Sequence, residues 1–418
     1  MDHFALRGGA MFAEDVPLAT IAEQVGTPVY VYSRATLERH ARVFKEALAD
    51  LGDVHIAFAI KANPNLSVLR VLARQGFGAD IVSVGEMKRA LAAGVAAKDI
   101  VYSGVGKTRD DLAHALDAGI GQFNIELEEE GAALAEIAAA KGKTATAVLR
   151  VNPDVDAGTH AKISTGLSEN KFGVPIDLAG DILARLDALK GLNMRGLALH
   201  IGSQIFDLDP IERAYAKVGA LAMDLRKAGH VIDRIDLGGG LGVPYERDKV
   251  PPSPADYGAM VKRVTKDWGV TLMFEPGRVI AGNAGVLLTE VIWVKPGIVR
   301  PYVIVDAAMN DLARPAMYDA YHDFDAVHPT GEKMVANIAG PVCESGDTFA
   351  RRRTMVPVKP GELVAFRSAG AYGAVMSSEY NSRPLIPEVL VSGDNFGVIR
   401  ARPTFEEMIG RDRVPSWV

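Results

Sequence analysis

The sequence predicts an α/β fold: a (β/α)8 barrel of the TIM type, followed by a mostly antiparallel β-sandwich or barrel domain that an N-terminal strand joins. Two observations carry this. Between residues 54 and 278, short and nearly continuous apolar runs alternate with stretches of helical spacing. After about residue 280, helical spacing gives way to consecutive β-like segments separated by turns. The chain has 418 residues, enough for two or three domains. The predicted boundaries are 34–280 for the barrel, and 1–33 with 281–418 for the β domain.

Eight strands are predicted in the barrel: VHIAFAIK (54–61), ADIVS (79–83), IVYSG (100–104), FNIE (123–126), TATAVLRVN (144–152), LNMRGLALHIG (192–202), IDRIDLGGG (232–240) and TLMFEPGR (271–278). Helices read between them. Leu37, Ala41, Phe44, Leu48 and Leu51 recur at helical spacing. Ser83 and Glu86 fit a capping box. Glu126 to Glu130 precede an alanine-rich run that ends in Lys141 and Lys143, a charge order matching the helix dipole. Eight such units in roughly 230 residues suit a closed barrel, typically about 250 residues long. A doubly wound open sheet is the structural alternative. In the β domain, VLLTEVIWV, PYVIVDAAM, VANIAGPVC, ELVAFRSAG, EVLVSG and NFGVIRARP follow one another, and PVYVYS (28–33) is expected to join them. The long connection at 152–175 leaves the carboxyl end of strand five, the end where such barrels place active sites.

Composition removes several classes of function. With 46 Lys and Arg against 52 Asp and Glu, the net charge is −6, and no basic block stands out. Nucleic acid and anionic membranes are therefore not expected partners. A single cysteine excludes an intrachain disulfide framework. The first residues lack the basic and apolar regions of a signal peptide, so a cytoplasmic protein is expected. The nine histidines show no ligand spacing, and His55, His160 and His200 lie apart, so no metal site is expected.

Barrel closure makes a geometric prediction. Lys61 ends strand one and Glu275 ends strand eight, so both should sit at one rim. Gly238, Gly239 and Gly240 end strand seven, Gly277 follows Glu275, and His200, Ser203 and Gln204 follow strand six. Loops seven and eight are the usual phosphate site of this fold. Singly, Lys61 could be a solvated strand end, the glycines a turn, His200 a core histidine, and Glu275 a partner of Arg278. Together they offer an amine, a carboxylate, an imidazole and an anion nest. Pyridoxal 5'-phosphate uses all four: lysine as Schiff base, carboxylate on the pyridine nitrogen, nest on the phosphate.

At these residues the chain resembles the alanine racemase-like, fold-type III pyridoxal phosphate enzymes, and within them the meso-diaminopimelate decarboxylases. The resemblance runs along essentially the whole chain: FAIKANPN (58–65), GADIVSVGE (78–86), HIGSQ (200–204), DLGGGLG (236–242), EPGR (275–278), MNDLARPAMYDAYH (309–322), GPVCESGD (340–347), GAYG (370–373) and EYNSRP (379–384). It implies decarboxylation of meso-2,6-diaminopimelate to L-lysine and carbon dioxide, the final step of lysine biosynthesis. It implies Lys61 as cofactor anchor, Glu275 at the pyridine nitrogen and His200 stacked on the ring. Ser203, Gly240, the Gly277–Arg278 backbone and Tyr372 would hold the phosphate. Arg278, Arg314, Tyr318 and Glu344 would grip the distal end of the substrate, with Tyr372 nearby. Cys343 would donate the proton, and the family pattern implies a homodimer with shared active sites in which Cys343 and Glu344 come from the partner. The loop with His160 and the KFG triplet (171–173) would close over the site. Leu385-Ile386-Pro387 departs from the family's more polar stretch there.

The residues are consistent with that implication. A substrate zwitterionic at both ends needs a cation and an anion for its distal end, and two arginines with one glutamate supply them. An ornithine- or arginine-type decarboxylase of the same fold is the alternative. A racemase would present arginine, not Glu275, to the ring nitrogen. A non-catalytic cofactor-binding protein would be a barrel alone.

Overall fold

The structure is a computed structural model that describes residues 2–158, 165–166, 170–246 and 248–418. The chain forms two compact units. One comprises Glu38–Pro244 and Val250–Ile280, and the other comprises the residues through Leu37, Tyr245–Lys249 and Ala281–Val418.

The first unit is a closed barrel of eight parallel strands: Val54–Ala59, Gly78–Ile81, Ile100–Tyr102, Gln122–Ile125, Ala145–Asn152, Leu192–Ala198, Arg234–Asp236 and Thr271–Phe274. Strand eight pairs with strand one, setting Leu272, Met273 and Phe274 against Val54, His55 and Ile56. This closure excludes the open doubly wound sheet. Side chains alternate along each strand, so residues two apart share a face. Ala57, Val101 and Met273, from strands one, three and eight, form one buried cluster. Strands one and three are not neighbours, so their side chains meet in the barrel interior. On strand eight the alternation turns Met273 and Glu275 inward. It turns Phe274 outward against the helices, edge-on to Phe44 and Tyr257 at 6.4 and 6.1 Å.

The helices start where local chemistry satisfies their free N–H groups. Thr108 with Asp111 and Ser253 with Asp256 form reciprocal capping boxes for helices Arg109–Ala118 and Pro254–Thr265. Helix Glu128–Ala140 has three glutamates in its first turn, as the dipole favours. Leu37, Ala41, Phe44 and Leu48 face the core along helix Arg34–Leu48, and Leu51 lies in the 3-10 turn after it. The predicted capping box at Ser83 forms only by half. Ser83 Oγ accepts the Glu86 N–H at 3.2 Å, but the Glu86 carboxylate takes the N–H of Val82.

The connection after strand five returns as Val174–Pro175, parallel to Val151 and Asn152. His160 lies outside the described residues. Phe172 lies against the Arg150 guanidinium, 5.0 Å from its ring centroid, and the Gly173 N–H donates to Glu126.

The second unit is built around the long strand Gly285–Lys295. It pairs antiparallel with Val29–Ser33, Tyr302–Val305 and Leu363–Phe366. The N-terminal strand therefore joins this sheet. Antiparallel pairing dominates, with two parallel exceptions: Tyr302–Val305 with Met334–Ala339, and Val29–Ser33 with Glu388–Ser392. A small antiparallel sheet of Phe4–Arg7, Ala10–Ala13 and Val16–Pro17 was not expected from the sequence. Its strands are too short to show alternation. Its Met11 joins Val31, Val286, Leu288 and Val389 in one core cluster. Strand Thr348–Met355 was also missed, because five of its eight residues, Thr348 and Arg351 to Thr354, are polar.

Phe274 tests how far the outer packing holds the barrel closed. Phe274→Ala should cost about 3–5 kcal/mol, because a buried aromatic is replaced by a cavity. A lower urea midpoint by far-UV circular dichroism would report it, and an unchanged midpoint would contradict the packing role.

Candidate active site

The carboxyl end of the barrel gathers an amine, an imidazole, two buried acids and a half-buried one. Lys61 lies in the 3-10 turn Ile60–Ala62, directly after strand one. Its Nζ is 3.4 Å from Asp80 Oδ2 of strand two. The Asp80 side chain is 0% exposed, and its Oδ1 is buried with no hydrogen-bond partner among the described residues. A buried acceptor left unmatched is costly unless something else completes it. Asn63 and Asn65 fix the turn beyond Lys61, for Asn65 caps helix Leu66–Arg74 through the Ser67 N–H and Asn63 accepts the Asn65 N–H.

Across the rim stand two further acids, Asp236 from strand seven and Glu275 from just beyond strand eight. They share a hydrogen bond. Asn124 of strand four donates to both, at 3.1 Å to Asp236 Oδ2 and 3.2 Å to Glu275 Oε1. Ser103 Oγ donates to Glu275 at 3.2 Å, and the Gly238 N–H to Asp236 at 3.0 Å. Burial pushes the Glu275 carboxyl well above its ordinary range, and the charges of Asp236 and Asp80 push the same way. Burial also raises Asp236. Both shifts favour protonation, so the two carboxyls keep a proton between them.

His200 follows strand six. Its Nδ1 accepts the Gly239 N–H at 3.3 Å, so a neutral ring carries its hydrogen on Nε2. Burial holds its pKa well below the usual value, and the positive charges of Lys61 and Arg150 add to the effect. The glycine loop beside it depends on close approach. Gly238 has φ +65° and Gly240 φ +120°, and a Cβ on either would fall 2.5 Å from a carbonyl oxygen, that of Leu199 or Gly202. The Ser203 loop runs alongside, with the Ile205 N–H bonded to the Gly240 carbonyl. Gly277 and Arg278 lie just past Glu275, where helix Arg278–Ala281 begins.

These residues fit pyridoxal phosphate. The amine, the proton-sharing carboxyls and the neutral imidazole sit at one rim, and the glycine loop forms a cradle that a Cβ would fill. Asp80 Oδ1 offers a buried acceptor beside the amine. Sequence reasoning named neither Asp80 nor Asp236, nor Ser103 and Asn124. An acid inside an apolar strand, as in GADIV and RIDLG, was the available signal.

The remaining predicted residues lie in the sheet unit. Arg314 opens the short helix Arg314–Tyr318 and is buried, and Tyr318 closes it. Cys343 and Glu344 lie in the turn between strands Met334–Ala339 and Thr348–Met355. Buried Asp347 holds that turn by accepting the N–H groups of Met309 and Val342, both at 2.7 Å. The Cys343 thiol is exposed rather than packed as a small core residue. Glu344 accepts the Tyr380 hydroxyl at 2.9 Å. Tyr372 adopts a left-handed backbone, φ +55°.

Residues 34–282 match the family model for the pyridoxal-dependent decarboxylase, pyridoxal binding domain. The diaminopimelate decarboxylase of Zymomonas mobilis is 50% identical, with 99% of each chain covered. That of Pseudomonas fluorescens is 50% identical over the whole of both. The chain belongs to the diaminopimelate decarboxylase family. Among solved structures, the M. jannaschii diaminopimelate decarboxylase in co-complex with L-lysine superposes with a TM-score of 0.95 at 36% identity, over 99% of this chain and 98% of that one. Among the described residues of this family member, no helix is long and apolar enough to cross a membrane, and no group of acids, histidines and cysteine could hold a metal ion.

Glu86 gives a pH test of the rim. Burial raises its carboxyl to about 7, with Asp80 adding to the shift and the Val82 N–H opposing it. The folded state then holds a proton that the unfolded chain gives up near pH 4.5, so stability falls as pH rises from about 4.5 to 7. Glu86→Gln should remove that loss. Its denaturation midpoint should gain on wild type between pH 5 and pH 7, and a constant difference would refute the assignment.

Proposed function

We propose that this chain decarboxylates meso-2,6-diaminopimelate to L-lysine and carbon dioxide with pyridoxal phosphate, the last step of lysine biosynthesis. The observation that carries the reading is the placement of Lys61, His200 and the Asp236–Glu275 pair at one barrel rim, in a chain whose full length matches diaminopimelate decarboxylases at 50% identity. When bound, the cofactor supplies a conjugated ring that can take up the electron pair of the breaking bond to the substrate carboxylate.

The chain's residues have separable tasks. Lys61 anchors the cofactor through its Nζ, and the Asp80 carboxylate orients that amine. Glu275 would hold the pyridine nitrogen through the proton it shares with Asp236, and Asp236 would stabilise whichever carboxyl is ionised. His200, kept neutral, offers a flat face without adding positive charge. Ser203, Gly238, Gly239, Gly240, Gly277, Arg278 and Tyr372 take the phosphate. Arg278 and Arg314 take the distal carboxylate of the substrate, with Tyr318 and Tyr372 beside it, and Glu344 takes the distal ammonium. Cys343 delivers a proton to the carbon that lost carbon dioxide.

The working form is read as a cytoplasmic homodimer with shared sites. The exposed Cys343 thiol on a rigid turn supports this, because that group can reach a second copy. Mixing Lys61→Ala with Cys343→Ala chains should restore part of the lost activity. Mixtures as inactive as the parents would argue for sites built within one chain.

Carbon dioxide release from meso-diaminopimelate with added cofactor is the direct test. Wild type should release it with L-lysine as product, and Lys61→Ala should not. Glu275→Gln should lower kcat by about a hundredfold with little change in KM, since its proton matters in the reacting state. An unchanged kcat would remove Glu275 from the chemistry.

A further inference from the structure

We infer that His322 and Tyr245 are positioning residues that preset the Arg314 guanidinium for a carboxylate, and so set selectivity for substrates carrying one at the distal end. This rests on the reading of Arg314 as the group that takes that carboxylate.

Arg314 is 7% exposed, and His322 is 2% exposed. Arg314 Nη1 donates to His322 Nε2 at 2.8 Å. A guanidinium has only donors, so Nε2 must present its lone pair. The hydrogen of the ring then sits on Nδ1, which donates to the Arg367 carbonyl at 2.8 Å. Both ring nitrogens are therefore committed, and the tautomer is fixed by its partners. The backbone is pinned as well, for Arg353 donates to the His322 carbonyl at 2.6 Å and the Arg367 N–H donates to Asp323. The Tyr245 ring lies under the guanidinium, 4.3 Å from Cζ to the ring centroid, and meets the His322 ring edge-on at 5.1 Å.

The choice of partner matters. A carboxylate in the place of His322 would orient the arginine and also cancel its charge. A neutral imidazole orients it and leaves the charge intact. The Tyr245 face likewise favours the cation without neutralising it. A planar fork held in one plane by an acceptor and a ring loses little freedom when it binds a carboxylate.

The reaction defines the probe. L-lysine keeps the L-configured carbon of the meso substrate, so carbon dioxide leaves from the D-configured one, and the distal carboxylate survives in the product. Cadaverine is L-lysine without that carboxylate. The pair reads the contacts of that carboxylate, and the Arg314 variant isolates the share that Arg314 supplies.

The experiment uses the holoenzyme and three variants. In His322→Asn, the amide nitrogen can replace Nδ1 toward the Arg367 carbonyl while the acceptor for Arg314 is lost. In His322→Gln, the longer side chain returns an acceptor near Nε2. Arg314→Gln is the control. The His322→Asn variant should raise KM for meso-diaminopimelate and the inhibition constant of L-lysine by about tenfold, with kcat moving far less and cadaverine inhibition unchanged. His322→Gln should recover most of the loss. If His322→Asn does not fold, Tyr245→Leu should give the same split between lysine and cadaverine. L-lysine and cadaverine weakening together, or neither weakening, would overturn the inference. If Arg314→Gln itself leaves their ratio as in wild type, the reading of Arg314 falls and takes the inference with it. If Arg314→Gln changes the ratio and the His322 and Tyr245 variants do not, only the positioning role falls.

Discussion

Asp236, buried, and Glu275, half-buried, face each other at the barrel rim, where water screens them little, and neither can ionise without regard to the other. Two adjacent buried carboxylates would repel strongly, so the pair keeps one proton and a short polar network around it. Asn124 bridges the two, Ser103 donates to the same Glu275 oxygen, the Gly238 N–H takes the other oxygen of Asp236, and Gln122 in turn donates to Asn124 at 2.8 Å. These residues come from strands three, four, seven and eight. Only a closed barrel makes them neighbours, so the network and the closure of strand eight on strand one depend on each other. The cost of such burial is tolerable because nearly every polar atom has a partner. Asp80 Oδ1 is an exception, and it belongs to the carboxylate that stands beside Lys61.

Two sites, one in each unit, handle buried charge in opposite ways. The barrel rim collects acids and lets a raised pKa hold protons there. The sheet unit buries a cation, Arg314, against a neutral imidazole and an aromatic face. A proton shared between two carboxyls can be given up, whereas a guanidinium never gives one up. The first arrangement suits a group whose charge changes during reaction. The second suits recognition of a charge that stays constant.

The sequence carried most of the barrel, because each of its strands is a run of apolar residues long enough to stand out from the helices. Lys61, His200, Glu275 and the glycine loop were legible because each ends a strand, and strand ends share one rim in this fold. The three short strands at the N-terminus were not legible, since two to four residues cannot display a period. Strand Thr348–Met355 escaped for another reason: its arginines are shaped by tertiary neighbours, with Arg353 lying over the Tyr321 ring. The capping-box motif at Ser83 was visible, yet Glu86 turned to Val82.

The amino-acid order by itself determined the element succession and the set of strand-end groups, and the motifs shared with its relatives determined the family. These are local or linear properties, and periodicity and motif record them directly. Tertiary structure alone decided that Asp236 would hydrogen-bond to Glu275, that Asn124 would bridge them, and that His322 would fix Arg314 through its second nitrogen. Such contacts join residues 8 to 151 positions apart. Their strength comes from exclusion of water, and a linear pattern does not encode which polar groups the closed fold will leave facing one another.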